Sequence, residues 1–233
     1  MSIATPAAWA RHLSSLVGAL PAPLPTPGTA LGAGEIDAPL LAAATGRLLD
    51  VPPRWRLDDA PRGDAANATL DVRLWWRVHQ PQAPLSAILD PDARGPLLPA
   101  QAPLPIEVWT ECELCALHAL GRIVAGVGAG DAAPTPLPTS PWGARLDSAR
   151  AWHLEHTQPD NATGRPWAVA VFAADPAPES QLYAQTLLHN ALVAGPGGAE
   201  STSARQSTLG PLAAVIVADA ARVLGAMART HGG

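Results

Sequence analysis

The chain has no lysine at all, and only one phenylalanine, one tyrosine and two cysteines among its 233 residues. With every basic side chain an arginine, and with Ala, Gly and Pro abundant, the composition is that of a GC-rich genome rather than of a special Arg chemistry. No basic block is present and the net charge is −5, so the electrostatic footprint of a nucleic-acid binder is missing. A polybasic membrane patch is missing for the same reason. The longest apolar stretch, Leu209 to Met227, is interrupted by Asp219 and Arg222 and reads as a buried soluble helix instead of a bilayer span. Residues Met1 to Leu20 carry Arg11 and His12 inside them, unlike the apolar centre of a secretory leader. Two cysteines are too few for a disulfide framework. The expectation is a soluble, cytoplasmic protein that binds neither nucleic acid nor membrane.

What is present is eight Trp, 26 Pro and an apolar half dominated by Ala. A chain of this length buries a sizeable core, most often as one domain. Proline punctuates the first half (1–105), where short helices and coil are expected; residues 106–233 form the helical core. Thr5-Pro6 is a cap followed by an N1 proline, opening a helix to about Leu20. Further helices are expected at Pro39–Leu49 and Leu70–His79, with surface coil from Pro81 to Pro105. In the second half Thr110-Glu111-Cys112-Glu113 matches a capping box and opens a helix to about Gly126. Helices then follow at Arg145–Gln158, Pro166–Ala174, Pro178–Ala194 and Leu209–Arg229, with Gly195-Pro196-Gly197-Gly198 a firm stop. Leu70-Asp71-Val72-Arg73-Leu74 also alternates as a strand does, with helix preferred there, and no clean run of alternating strands is present. The fold class is therefore all-α, with consecutive helices packed as antiparallel hairpins.

At about 100° per residue the helix after Thr110 places Trp109, Cys112, Ala116, Leu120, Ile123, Val124 and Val127 on an apolar side. Opposite lies a row of Glu111, Cys115, His118 and Arg122. An acid, a thiol, an imidazole and a guanidinium in one row could line a pocket; the ordinary outcome, and the one expected, is a solvent-facing charged stripe. Cys112 and Cys115 form a Cys-x-x-Cys, a candidate redox or metal-sensing pair. The strand that precedes such a motif in thioredoxin-like folds is absent, and so is a second ligand pair for zinc. Two reduced thiols, with Cys112 in the core, are expected.

The segment AWHLEHTQPDNATGRPWAVAV sets Trp152, His153 and His156 on one helix face. Beyond them a turn carries Asp160 and Asn161, and then comes Arg165. Imidazole, carboxylate and amide groups at one hairpin tip could bind a metal, through His153 and His156 if any, or act in acid–base work. Equally, Asx residues are what such turns require. The Gln181–Val193 helix is apolar almost all round, so burial would oblige Tyr183, His189 and Asn190 to find partners. The sharper possibility is that they meet the hairpin histidines.

Successive helical hairpins with Trp-rich, His/Asp-bearing turns resemble the α/α-toroid proteins, the group of terpenoid cyclases, prenyltransferase β-subunits and helical-hairpin glycosidases. Their Asp-x-Asp-Asp motif and repeated Gln-and-Trp turns are missing, so the resemblance transfers no catalytic residue. The segments TECELCALHAL, WHLEHTQPDNATGRPWAV and LYAQTLLHNALV resemble those of uncharacterised bacterial proteins from planctomycete-type genomes, a likeness that implies origin and no activity. Three function classes remain open. The first is a helical binding or interaction module without chemistry. The second is an enzyme or ligand-binding protein with a pocket for a small molecule, lined by the His, Asp and Asn residues named. The third is a Cys-x-x-Cys sensor. No cofactor and no oligomeric state is implied.

Overall fold

The computed structural model describes residues 5–18, 69–79, 84–99, 104–127, 140–159, 164–194 and 209–230. Among these, seven α-helices and one short 3-10 turn account for all regular structure, and there is no strand. The helices are α1 (Pro6–Gly18), α2 (Leu70–His79), α3 (Ile106–Val124), α4 (Pro141–His156), α5 (Val169–Ala174), α6 (Pro178–Val193) and α7 (Pro211–Thr230). The all-α class read from the periodicity is what the molecule adopts. The helix expected at 39–49 lies outside the described residues.

Local chemistry explains three of the helix starts. The Thr5 hydroxyl accepts from the Ala8 amide at 3.2 Å, an N-cap bond in front of the N1 proline. Pro141 and Pro178 likewise occupy the first turns of α4 and α6, where a missing N–H costs nothing. The capping box at Thr110 is not used. Helix α3 begins one turn earlier, after Pro105. That frees the Thr110 hydroxyl to donate to the Ile106 carbonyl at 2.8 Å and turns Glu113 into an interior helical residue.

Helix α5 is the central post of the core. It packs on α1, α3, α6 and α7, while α1 lies along α7 and α2 along α3. Its residues Val169 to Ala173 are all buried. It starts after Ala168, a non-glycine residue in the left-handed region at φ 58°, so the helix expected from Pro166 opens three residues later. Close approach of α5 to α3 depends on Gly121: a Cβ there would stand 2.5 Å from Val171 Cγ2, well inside van der Waals contact. The proline-rich stretch 84–99 has only the Leu85–Ala87 turn as regular structure and buries Leu85, Leu89, Leu97 and Leu98 against the helices.

Candidate functional site

Helix α3 carries two buried polar centres on different sides. The first is the row expected to face solvent. Cys115, His118 and Arg122 are instead buried, and only Glu111 is half-exposed. Their counterpart is Asp219 of α7, a residue with no exposed surface. His118 Nε2 lies 3.1 Å from Asp219 Oδ2, and Arg122 Nη1 lies 3.4 Å from Asp219 Oδ1. The guanidinium also caps the Trp75 ring, 5.8 Å from its centroid, and donates through Nε to the Val127 carbonyl. On the other edge of the imidazole, the Ala168 amide donates to His118 Nδ1 at 3.1 Å. A backbone N–H can only donate, so Nδ1 carries no proton and Nε2–H donates to Asp219. Burial alone would push the Asp219 carboxyl up. The Arg122 charge and the His118 hydrogen bond outweigh it and hold Asp219 down at about 2. One imidazole thus joins three segments: α3, α7 and the left-handed start of α5.

The second centre lies between α3 and α4. Both oxygens of buried Glu113 accept from backbone, Oε1 from the Leu97 amide and Oε2 from the Leu98 amide, each at 2.6 Å. Arg145 of α4 donates to the Gly95 carbonyl at 2.7 Å and the Pro96 carbonyl at 2.6 Å. Burial lowers the Arg145 pKa, and the nearby Glu113 charge works against that. Ser148 Oγ accepts from the Gly95 amide at 3.3 Å and the Trp109 indole donates to the Pro99 carbonyl at 3.0 Å.

His153 adjoins this centre. Its Nε2 stands 3.5 Å from Glu113 Oε1, and its Nδ1 is 2.9 Å from Thr157 Oγ1, which is 2.9 Å from the Tyr183 hydroxyl. Carboxylate, imidazole, hydroxyl and phenol stand in line. The Glu113 oxygens are already taken by amides, however, and the Thr157 hydroxyl donates to the His153 carbonyl at 3.1 Å. The line closes the end of α4 instead of presenting a nucleophile.

The remaining candidates are dispersed. His153 is buried while His156 is exposed and stacks on Trp152, with centroids 4.9 Å apart and planes at 8°; the two do not share one environment. Helix α6 is not buried all round: Tyr183 and Asn190 are inside, His189 and Leu182 outside. Tyr183 does meet His153, with ring centroids 6.3 Å apart. Arg165 pairs with Glu111 across the top of α3. Asp160 and Asn161 lie outside the described residues. Among the described residues no group of three or more His, Cys, Asp or Glu is placed to hold a metal ion.

The burial of the thiols is the reverse of the expectation: Cys115 is buried and Cys112 half-buried. Both sit mid-helix, beyond the reach of the N-terminal dipole. Burial, and then the Asp71 and Glu111 charges, push Cys112 up to about 11. Burial also pushes Cys115 well up, while the Trp75 indole donates to its sulfur at 3.2 Å. These surroundings oppose thiolate formation.

Sequence reasoning did not find Asp219, Arg145 or Asp71 as partners, and it gave Glu113 another task. A signal existed for Asp219, since a lone carboxylate in an apolar run must be paired inside. None existed for Arg145, whose partners are loop carbonyls.

No family model, curated protein or solved structure matches this chain.

Proposed function

We propose that the chain is a bacterial, cytoplasmic helical binding module whose ionisable groups build its scaffold and whose partner is a protein. The observation that carries this reading is an exposed apolar row at the start of α3. Leu104, Ile106 and Val108 are all exposed, Ile106 at 66%. Solvated apolar side chains are ordinary singly, but three within five residues at a helix start form a contact surface. The buried acids and bases support the same reading. Glu113, Arg145, His118 and Asp219 are each bound to backbone or to one another, so none is poised toward an open cleft.

The test is photo-cross-linking from position 104 of the full chain in its own cytoplasm, with Ile106→Glu/Val108→Glu as the control. One cross-linked protein that disappears in the double variant is expected. A cross-link that survives both charges, or none at all, overturns the reading.

A further inference from the structure

The stretch from Gly95 to Pro99 is held as a bound peptide is held. Six of its backbone groups go to side chains of two helices. The Gly95 amide goes to Ser148, the Gly95 and Pro96 carbonyls to Arg145, the Leu97 and Leu98 amides to Glu113, and the Pro99 carbonyl to Trp109. Two apolar side chains, Leu97 and Leu98, go inside. Main-chain bonds that hold a chain, with pockets for its side chains, are one recurring means of peptide recognition. Here the donors and acceptors are preorganised on rigid helices, which lowers the ordering cost of taking up a ligand. The occupant bends at Gly95, Leu97 and Leu98, the prolines at 96 and 99 restrict its backbone, and releasing it breaks no helix. The surface also continues outward. Ile106 precedes Glu113 by seven residues, two helical turns, and so lies on the same face of α3, where it is exposed.

We propose that the groove between α3 and α4 is a peptide-recognition site, filled in cis by residues 95–99. In trans it accepts a proline-flanked dileucine segment of a partner protein that takes up the same bent course. The proposal rests on the binding-module reading and names its ligand class. Specificity follows from the contacts. Gly95 has φ +79°, a backbone conformation that L side chains rarely adopt, so the ligand carries glycine at that position. Arg145 reads two successive carbonyls, and proline at the second position supplies a carbonyl without an N–H to be satisfied.

The experiment uses the full chain and a labelled peptide of residues 92–101. Leu97→Ser/Leu98→Ser weakens the cis occupant, and this variant takes up the peptide at least about tenfold more tightly than the unaltered chain. Adding Glu113→Gln reduces that affinity about ten- to hundredfold, as loss of a charge-assisted bond does. A peptide with both leucines changed to serine does not bind. Equal affinity for the variant and the unaltered chain overturns the proposal. A variant that pairs with the intact chain into a mixed dimer, yet ignores free peptide, also overturns it, in favour of segment exchange between copies.

Hydrogen exchange of the unaltered chain provides a measurement that needs no variant. The Leu97 and Leu98 amides should exchange through a local opening, faster than the α3 amides and without denaturant dependence. If they exchange only with global unfolding, the segment is a fixed part of the core and the proposal falls. An inert groove alongside a partner still released by Ile106→Glu ends this proposal and leaves the module reading standing.

Discussion

The two polar centres of α3 use the same chemistry for opposite ends. At the α7 side, His118 and Arg122 meet a carboxylate 101 and 97 positions away in the chain, and the result is a helix-to-helix lock among the rings of Trp75 and Trp167. At the α4 side, Glu113 and Arg145 meet peptide groups of an irregular segment, and the result is a cradle. Charge facing charge in a dry interior has no replacement when one partner is lost, because the other is left uncompensated. Charge facing backbone can be exchanged for water or for another peptide with the same groups. The lock is therefore expected to resist perturbation up to a large loss, and the cradle to yield in graded steps.

The largest expected effect is at the lock. Asp219→Ala leaves Arg122 and His118 buried without their carboxylate and should cost about 3–5 kcal/mol in urea unfolding. The pH dependence has a defined sign. Asp219 is held at about 2 in the folded chain, below its ordinary value of 3.8, so its contribution is complete above that ordinary value. It is lost as pH falls toward 2. Acid titration of the Asp219→Ala chain should accordingly lack a stability loss between about pH 4 and pH 2 that the unaltered chain shows. An unchanged acid limb would mean that the carboxylate is not the anchor.

Packing at the lock's own helix gives the next effect. Gly121→Ala drives a methyl to within 2.5 Å of Val171, and overpacking of this kind costs about 1–3 kcal/mol. Val171→Ala in the same chain should restore much of the loss, giving a coupling energy in a double-mutant cycle. Strict additivity would show that α5 shifts away without resistance.

Asp71 of α2 sharpens the comparison because it is buried with no facing arginine among the described residues, and burial raises its carboxyl above the ordinary value. For a raised acid the folded state holds the proton more tightly, so stability is lost as pH rises through the window above 3.8. Asp71→Asn should thus leave stability at pH 7 unchanged or increased, where Asp219→Asn lowers it. A fall at Asp71 would mean that its bonds to Thr69 and Val72 outweigh its desolvation.

These effects mark where the sequence was legible. Helix starts at Thr5-Pro6 and Pro178 were readable because a cap or an N1 proline acts within its own turn. The lock was not readable. Helical periodicity separated Cys115, His118 and Arg122 from the apolar side correctly, but a polar face is turned inward only by a partner, and that partner lies in α7. Glu113 was misread for a related reason. A capping box needs a helix that begins at Thr110, and α3 begins at Ile106, so the carboxylate turns to the amides of Leu97 and Leu98. The cradle has no motif at all, because it recognises backbone, which every sequence shares.

The smallest effect separates two histidines three residues apart. His153 is fully buried between Glu113, Thr157 and the Phe172 and Tyr183 rings. Its replacement by Ala opens a cavity next to a fixed negative charge and removes a bond to Thr157, a loss of about 2–4 kcal/mol. His156, almost half exposed, lies flat on Trp152, and its partners among the described residues are the Trp152 carbonyl at 3.0 Å and the exposed Glu155 at 3.9 Å. Its ring shields one face of the indole, so His156→Ala forfeits one aromatic contact in water, and stability should change by no more than about 0.5 kcal/mol. Paired urea titrations decide the matter. Near-equal losses at the two positions would mean that His156 is held as firmly as His153, and the helix end would then belong to the core instead of to the surface.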